Sequence, residues 1–211
     1  MAGITVVGMG PGSEDYVTGA AQKAVGKAGV LVGGRRHLEM YHHLPVEKIP
    51  ITVDLEPLLD TIRNRVAAGE HVVVLASGDP GFYGILSTLR RRLPDLEPEV
   101  IPGVSSIQLA CARLGITWED ACLISCHGRS CAELAEAVLN RPKVITLTDP
   151  RHNPPELARI LLQAGIGHRL VFVACNLSYP EETLVATTLR QLAAGESCPS
   201  SNCVMVIINE E

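Results

Sequence analysis

Val72-Val73-Val74-Leu75-Ala76-Ser77-Gly78-Asp79-Pro80-Gly81-Phe82-Tyr83-Gly84 is the stretch whose reading decides the fold. Its first five residues form the most apolar strand-like run of the chain, the pattern of a strand buried on both faces of a parallel sheet. The run stops at Ser77-Gly78. Asp79-Pro80 then forces an extended turn, while Gly78, Gly81 and Gly84 keep the backbone bare. Ligands in open α/β sheets gather at the carboxyl ends of strands, so a bare loop here predicts a binding loop. A bland alternative has Asp79 capping the next helix, a role compatible with binding.

Two more strand-then-glycine turns lie on either side. Residues 4–7 predict a first strand that runs into Gly8-Met9-Gly10-Pro11-Gly12, and residues 99–101 predict another that runs into Pro102-Gly103-Val104-Ser105-Ser106. Either serine reads as the N-cap of a helix over 107–114 that stops at Gly115. A strand over 30–32 leads into Gly33-Gly34-Arg35-Arg36, which by itself reads as a solvated basic turn. Leu58, Leu59, Ile62 and Val66 recur at helical spacing ahead of Gly69, and residues 20–28 predict a weaker helix. The first glycine cluster is not a dinucleotide fingerprint. Ser13 stands where the third glycine belongs, Pro11 lacks an amide donor, and no acidic residue closes the second strand. Without a Gly-Lys-Ser/Thr sequence, a P-loop is excluded as well.

The second half predicts strands over 123–125, 144–147, 170–174, 184–188 and 204–208, with helices over 132–139, 156–163 and 190–194. Only that short last helix separates the final two strands, which predicts a mixed or antiparallel sheet. The chain therefore reads as α/β, in two domains over 1–115 and 116–211. Its 211 residues are 46% hydrophobic but only 3% aromatic, so the core is aliphatic. A net charge of −5 argues against a nucleic-acid partner. No apolar run approaches the roughly 18 residues of a membrane span, and no basic segment precedes an apolar one at the start. Seven cysteines scattered through apolar strings predict reduced thiols in a cytoplasmic protein rather than a disulfide framework. Cys122, Cys126, His127 and Cys131 lie close in sequence but form no Cys-x-x-Cys pair, so no metal site is expected.

Taken together, the three loops resemble the class III S-adenosylmethionine methyltransferases, the tetrapyrrole (corrin/porphyrin) methylase family, with its G-x-G-P-G, S-G-D-P and I-P-G-x-S-S motifs in order. The resemblance covers essentially the whole chain and implies two α/β domains with the cofactor in the cleft between them. Four further stretches resemble the precorrin C5-methyltransferase branch, the CbiE type: Gly33-Gly34-Arg35-Arg36-His37-Leu38, Ser125-Cys126-His127-Gly128-Arg129, Leu147-Thr148-Asp149-Pro150 and Asn176-Leu177-Ser178-Tyr179-Pro180-Glu181-Glu182. The last departs from the branch at Glu181-Glu182-Thr183, where Asp-Glu-Arg is commoner.

The resemblance implies C5 methylation of precorrin-7 or cobalt-precorrin-7 on the route to cobalamin, with S-adenosylhomocysteine as by-product. Pro11, Gly78, Asp79, Phe82, Tyr83, Ser105, Ser106 and Leu147 are expected at the cofactor. Asp79 is expected to organise its loop rather than act as counter-ion to the sulfonium. The substrate's carboxylates call for guanidinium and imidazole groups, for which Arg35, Arg36, His37, His127 and Arg129 are the candidates. His127 is the candidate for proton handling and Tyr83 a second catalytic candidate; no covalent nucleophile is needed. A homodimer is expected, any cobalt should arrive within the substrate, and C15 methylation with decarboxylation should fall to a separate enzyme. The rivals are a branch acting on RNA or protein, a nucleotide-dependent oxidoreductase, and a ligand-binding module without activity.

Overall fold

The computed structural model describes residues 3–195 and 202–209. The chain divides into two compact units, Met1–Ser105 and Ser106–Glu211. The break expected after residue 115 lies at the far end of the helix Ser106–Leu114, which belongs wholly to the second unit.

In the first unit β1 (Gly3–Gly8), α1 (Gly19–Val25), β2 (Val30–Gly33), α2 (Arg35–Met40), β3 (Glu47–Pro50), α3 (Glu56–Ala67), β4 (His71–Ala76), α4 (Leu86–Arg92) and β5 (Glu99–Ile101) alternate. The strands form one parallel sheet in the order β3-β2-β4-β1-β5. Period-two alternation sends successive side chains to opposite faces. Val6, Val30, Val32, Val72 and Val74 pack with Leu58, Leu59 and Ile62 of α3, while Leu31, Val73 and Leu75 pack with Val17, Ala21, Val25 and Leu38. The uninterrupted apolar run thus has cover on both sides, and each such side chain contributes about 1.5–3 kcal/mol on burial. Thr18 caps α1 by accepting the Ala21 N–H at 3.1 Å, so that helix starts one residue earlier than its apolar spacing indicates. The Gly33-Gly34-Arg35-Arg36 stretch is not a turn: Gly34 is the N-cap of α2. α2, β3 and α4 span six, four and seven residues, too few for a hydrophobic period to register.

The second unit contains α5 (Ser106–Leu114), β6 (Cys122–Ser125), α6 (Leu134–Asn140), β7 (Lys143–Leu147), α7 (Pro154–Gln163), β8 (Leu170–Cys175), β9 (Thr183–Thr188), α8 (Leu189–Ala193) and β10 (Cys203–Ile208). Its sheet runs β6-β7-β10-β8-β9, parallel only between β6 and β7, which is the mixed sheet the sequence predicts. Leu134, Val138, Leu157, Leu161, Leu189 and Leu192 pack against Val144, Val173, Met205 and Ile207 in one core. Asn153 opens α7 by accepting the Glu156 N–H at 3.0 Å, with Pro154-Pro155 at the first helical positions where no amide donor is needed.

The cysteines require a correction. Cys175 and Cys203 form a disulfide, because the β8–β10 register sets them directly opposite with Cα atoms 4.1 Å apart. Their separation of 28 residues hides that pairing in the sequence. Cys111 and Cys126 are buried thiols, and Cys198 lies outside the described residues. Among the described residues no helix is long and apolar enough to cross a membrane.

Candidate active site

In a parallel sheet every strand presents its carboxyl end at the same edge. Val7 is level with Leu75 of β4 and with Ile101 of β5, and Gly33 is level with Leu75. The three glycine turns therefore leave side by side from β4, β1 and β5, and the Arg35-Arg36 start of α2 leaves from β2 beside them.

The turns pack backbone on backbone. Gly78 N–H donates to the Gly10 carbonyl at 2.8 Å and Gly10 N–H returns to the Gly78 carbonyl at 3.3 Å. Met9 N–H donates to the Ala76 carbonyl at 2.8 Å. A methyl carbon on Gly8 would lie 2.4 Å from the Gly103 nitrogen, and one on Gly103 would lie 2.3 Å from the Gly78 oxygen. Only glycine permits such approach. Gly10 and Gly78 also sit at φ +74° and +62°, the left-handed region that side chains disfavour.

Asp79 ties the second turn to the third. Its Oδ1 accepts the Gly81 N–H at 2.8 Å and its Oδ2 the Gly103 N–H at 3.2 Å. It does not cap the next helix, since α4 starts only at Leu86. The carboxylate thereby holds the second and third turns together. Phe82 and Tyr83 stand edge to face at 4.8 Å between ring centres. Tyr83 is exposed and held at φ 52°, a strained backbone of the kind that collects at binding sites. Pro11 and Ser105 lie on the first and third of these turns, whereas Ser106 and Leu147 belong to the second unit, at the start of α5 and the end of β7.

Arg35 and Arg36 are exposed at the start of α2. His37 is 4% exposed, and its Nε2 has no hydrogen-bond partner among the described residues. Burial, and then the neighbouring Arg36 charge, push its pKa down to about 4. The imidazole is thus neutral near pH 7 and buried, unlike the exposed arginines beside it. One turn of helix rotates His37 inward while leaving the arginines outside.

In the second unit, His127 and Arg129 are exposed just beyond β6. His127 Nδ1 lies 3.0 Å from the Thr148 carbonyl, and Gly128 N–H donates to Asp149 Oδ2 at 2.8 Å. Burial of the Asp149 carboxylate pushes its pKa up. Backbone N–H donors from His152, Gly128 and Arg151, together with the His152 ring, outweigh this and hold it at about 2. Glu182 closes the 176–182 loop, accepting the Ser178 N–H at 2.7 Å and Arg113 Nε at 2.6 Å. Both acids stand within sequence motifs, Asp149 in Leu147-Thr148-Asp149-Pro150 and Glu182 at the end of the 176–182 stretch, yet the sequence assigns neither a role. Hydrogen bonds to backbone amides carry no sequence period, although an acid two residues beyond a strand end hints at one.

A family model described as Tetrapyrrole (Corrin/Porphyrin) Methylases matches residues 3–193. The chain belongs to this family. The methylase is 41% identical to the cobalt-precorrin-7 C(5)-methyltransferase of Salmonella typhimurium over 181 residues, 86% of this chain and 88% of that one. It matches the precorrin-6Y methylase structure from Archaeoglobus fulgidus with a TM-score of 0.73 at 25% identity, over the full length of both chains. It shares the fold of the Thermus thermophilus uroporphyrin-III C-methyl transferase, solved with S-adenosyl homocysteine, at a TM-score of 0.80 and 22% identity, covering 98% of this methylase and 97% of that chain.

Proposed function

We propose that this methylase is an S-adenosylmethionine-dependent C5-methyltransferase acting on precorrin-7 or cobalt-precorrin-7 in cobalamin biosynthesis. The observation that carries the reading is the backbone cradle in which Gly8, Gly78 and Gly103 approach too closely for any side chain. Such a cradle keeps the ends of β1, β4 and β5 bare of side chains, so that a ligand can lie against backbone, and its composition fits a cofactor of the relatives' kind. Similarity to the Salmonella protein over most of both chains supports the substrate.

Pro11, Gly78, Asp79, Phe82, Tyr83 and Ser105 would hold the cofactor, with Asp79 fixing the loops and the Phe82–Tyr83 pair offering apolar contact. When bound, S-adenosylmethionine supplies an electrophilic methyl group: the sulfur–methyl bond breaks, a carbon–carbon bond forms at C5, and C5 releases its proton. The protein's task is mainly alignment, which can contribute several kcal/mol. Arg35, Arg36 and Arg129 would meet the substrate's carboxylates through charge-assisted hydrogen bonds. His127 would take the C5 proton.

The reading includes a cytoplasmic homodimer, with C15 methylation and decarboxylation left to another protein. Incubation with S-adenosylmethionine and either form of precorrin-7, followed by mass spectrometry, tests it. A gain of one methyl group supports it. No methyl gain, or loss of carbon dioxide with no partner present, overturns it.

A further inference from the structure

The His127–Gly128 corner is held at three points. His127 N–H donates to Ser125 Oγ at 3.3 Å, Gly128 N–H to Asp149 Oδ2 at 2.8 Å, and the ring Nδ1 lies 3.0 Å from the Thr148 carbonyl oxygen. Gly128 turns at φ +64°, which a side chain would resist. The opposing segment is anchored in its turn. Thr148 N–H and Oγ1 both donate to the Cys203 carbonyl, at 3.2 and 2.8 Å, and Asp149 Oδ1 accepts the Arg151 and His152 N–H groups at 2.8 and 2.6 Å.

A carbonyl oxygen can only accept, so Nδ1 must be the nitrogen that carries a proton. In the neutral ring the lone pair then lies on Nε2. Nothing flexible sets this choice. Thr148 is 4% and Asp149 8% exposed, while His127 as a residue is exposed.

We propose that Asp149 is a positioning residue: by joining Gly128 to the 151–152 turn it keeps the Thr148 carbonyl on Nδ1 and presents His127 as the Nδ1–H tautomer, with Nε2 as acceptor of the proton leaving C5. This deepens the C5-methylation reading and rests on it for the identity of that proton. The balance is simple: C5 gains the methyl carbon, the C5–H electron pair returns to the conjugated ring, and the proton passes to Nε2 to give an imidazolium. The imidazolium keeps its Thr148 bond, so no rearrangement accompanies the transfer.

The tautomer is read directly by long-range proton–nitrogen NMR on protein labelled with nitrogen-15 histidine, His127 being assigned by the signals missing in H127N. The expected spectrum of the neutral ring has a protonated Nδ1 and an unprotonated Nε2. D149N, whose amide nitrogen cannot accept an N–H bond, should mix the two tautomers and lower kcat about tenfold at unchanged S-adenosylhomocysteine affinity. A wild-type His127 protonated on Nε2 overturns the proposal, as does a D149N protein with mixed tautomers and undiminished kcat. Should D149N fail to fold, the wild-type spectrum still decides the tautomer. Absence of methyl transfer by the wild-type protein would instead count against the C5 reading and leave the tautomer result standing.

Discussion

Replacing Gly103 by alanine adds one carbon to the first unit at the point where two loops touch. That carbon would lie 2.3 Å from the Gly78 carbonyl oxygen and within 2.8 Å of the Gly8 backbone. Ordinary contact needs about 3.4 Å, so roughly 1 Å of movement is required, and all of it must come from backbone because no side chain stands in the way. Overpacking of this kind costs about 1–3 kcal/mol. For a protein of this size that is a drop in Tm of roughly 2–12 °C. The displaced atoms are those that form the cradle, so S-adenosylhomocysteine should also bind at least tenfold more weakly, about 1.4 kcal/mol. Differential scanning fluorimetry and titration calorimetry read the two effects. Gly19→Ala is the control, since its added carbon meets nothing within 4 Å and lies at the first position of α1. It should leave both values unchanged or raise Tm slightly. A Gly103→Ala protein with wild-type Tm and wild-type affinity would refute the reasoning that the loops are packed to backbone contact.

H127N retains a donor for the Thr148 carbonyl but lacks an Nε2 atom, so it should fold normally while kcat falls on the order of 10²-fold; near-wild-type turnover would remove His127 from proton handling. R35A and R129A should each raise KM for the tetrapyrrole about tenfold with cofactor affinity preserved. Loss of S-adenosylhomocysteine binding in calorimetry would place that arginine at the cofactor instead. The Asp149 carboxylate, held at about 2 against an ordinary 3.8, stabilises the fold above the higher value and loses that contribution as pH falls through the lower one. Acid unfolding of D149N should therefore lack the part of the wild-type slope between those pH values. His37 has the neutral form favoured on folding, at about 4 against 6.5, so the unfolded chain binds the proton first and stability declines as pH drops across that window. Denaturant titrations at several pH values should give H37Q a flatter profile there; an identical profile would mean that His37 is not buried in solution.

Much was readable from residue order alone because the signals are local. Apolar runs of a few residues ending in glycine place a strand and the turn after it, and this located β1, β4 and β5 with their loops without knowledge of their neighbours. The broken dinucleotide spacing at Ser13 is also local, as is the amphipathic period of α3 and α7. Short elements escaped: α2 completes less than two turns, so nothing in Arg35-Arg36-His37-Leu38 reveals that the histidine turns inward while the arginines stay in water. Pairing required the assembled sheets. Cys175 meets Cys203 only through the β8–β10 register, and Asp79 reaches Gly103 across 24 residues of chain. The same holds for Asp149, whose importance lies in which backbone amides it accepts. Residue order determined which segments could be strands and where the backbone had to be bare. Tertiary structure decided which bare turns touch, which cysteines pair and which backbone carbonyl the His127 ring meets, because each depends on distances between segments remote in the chain.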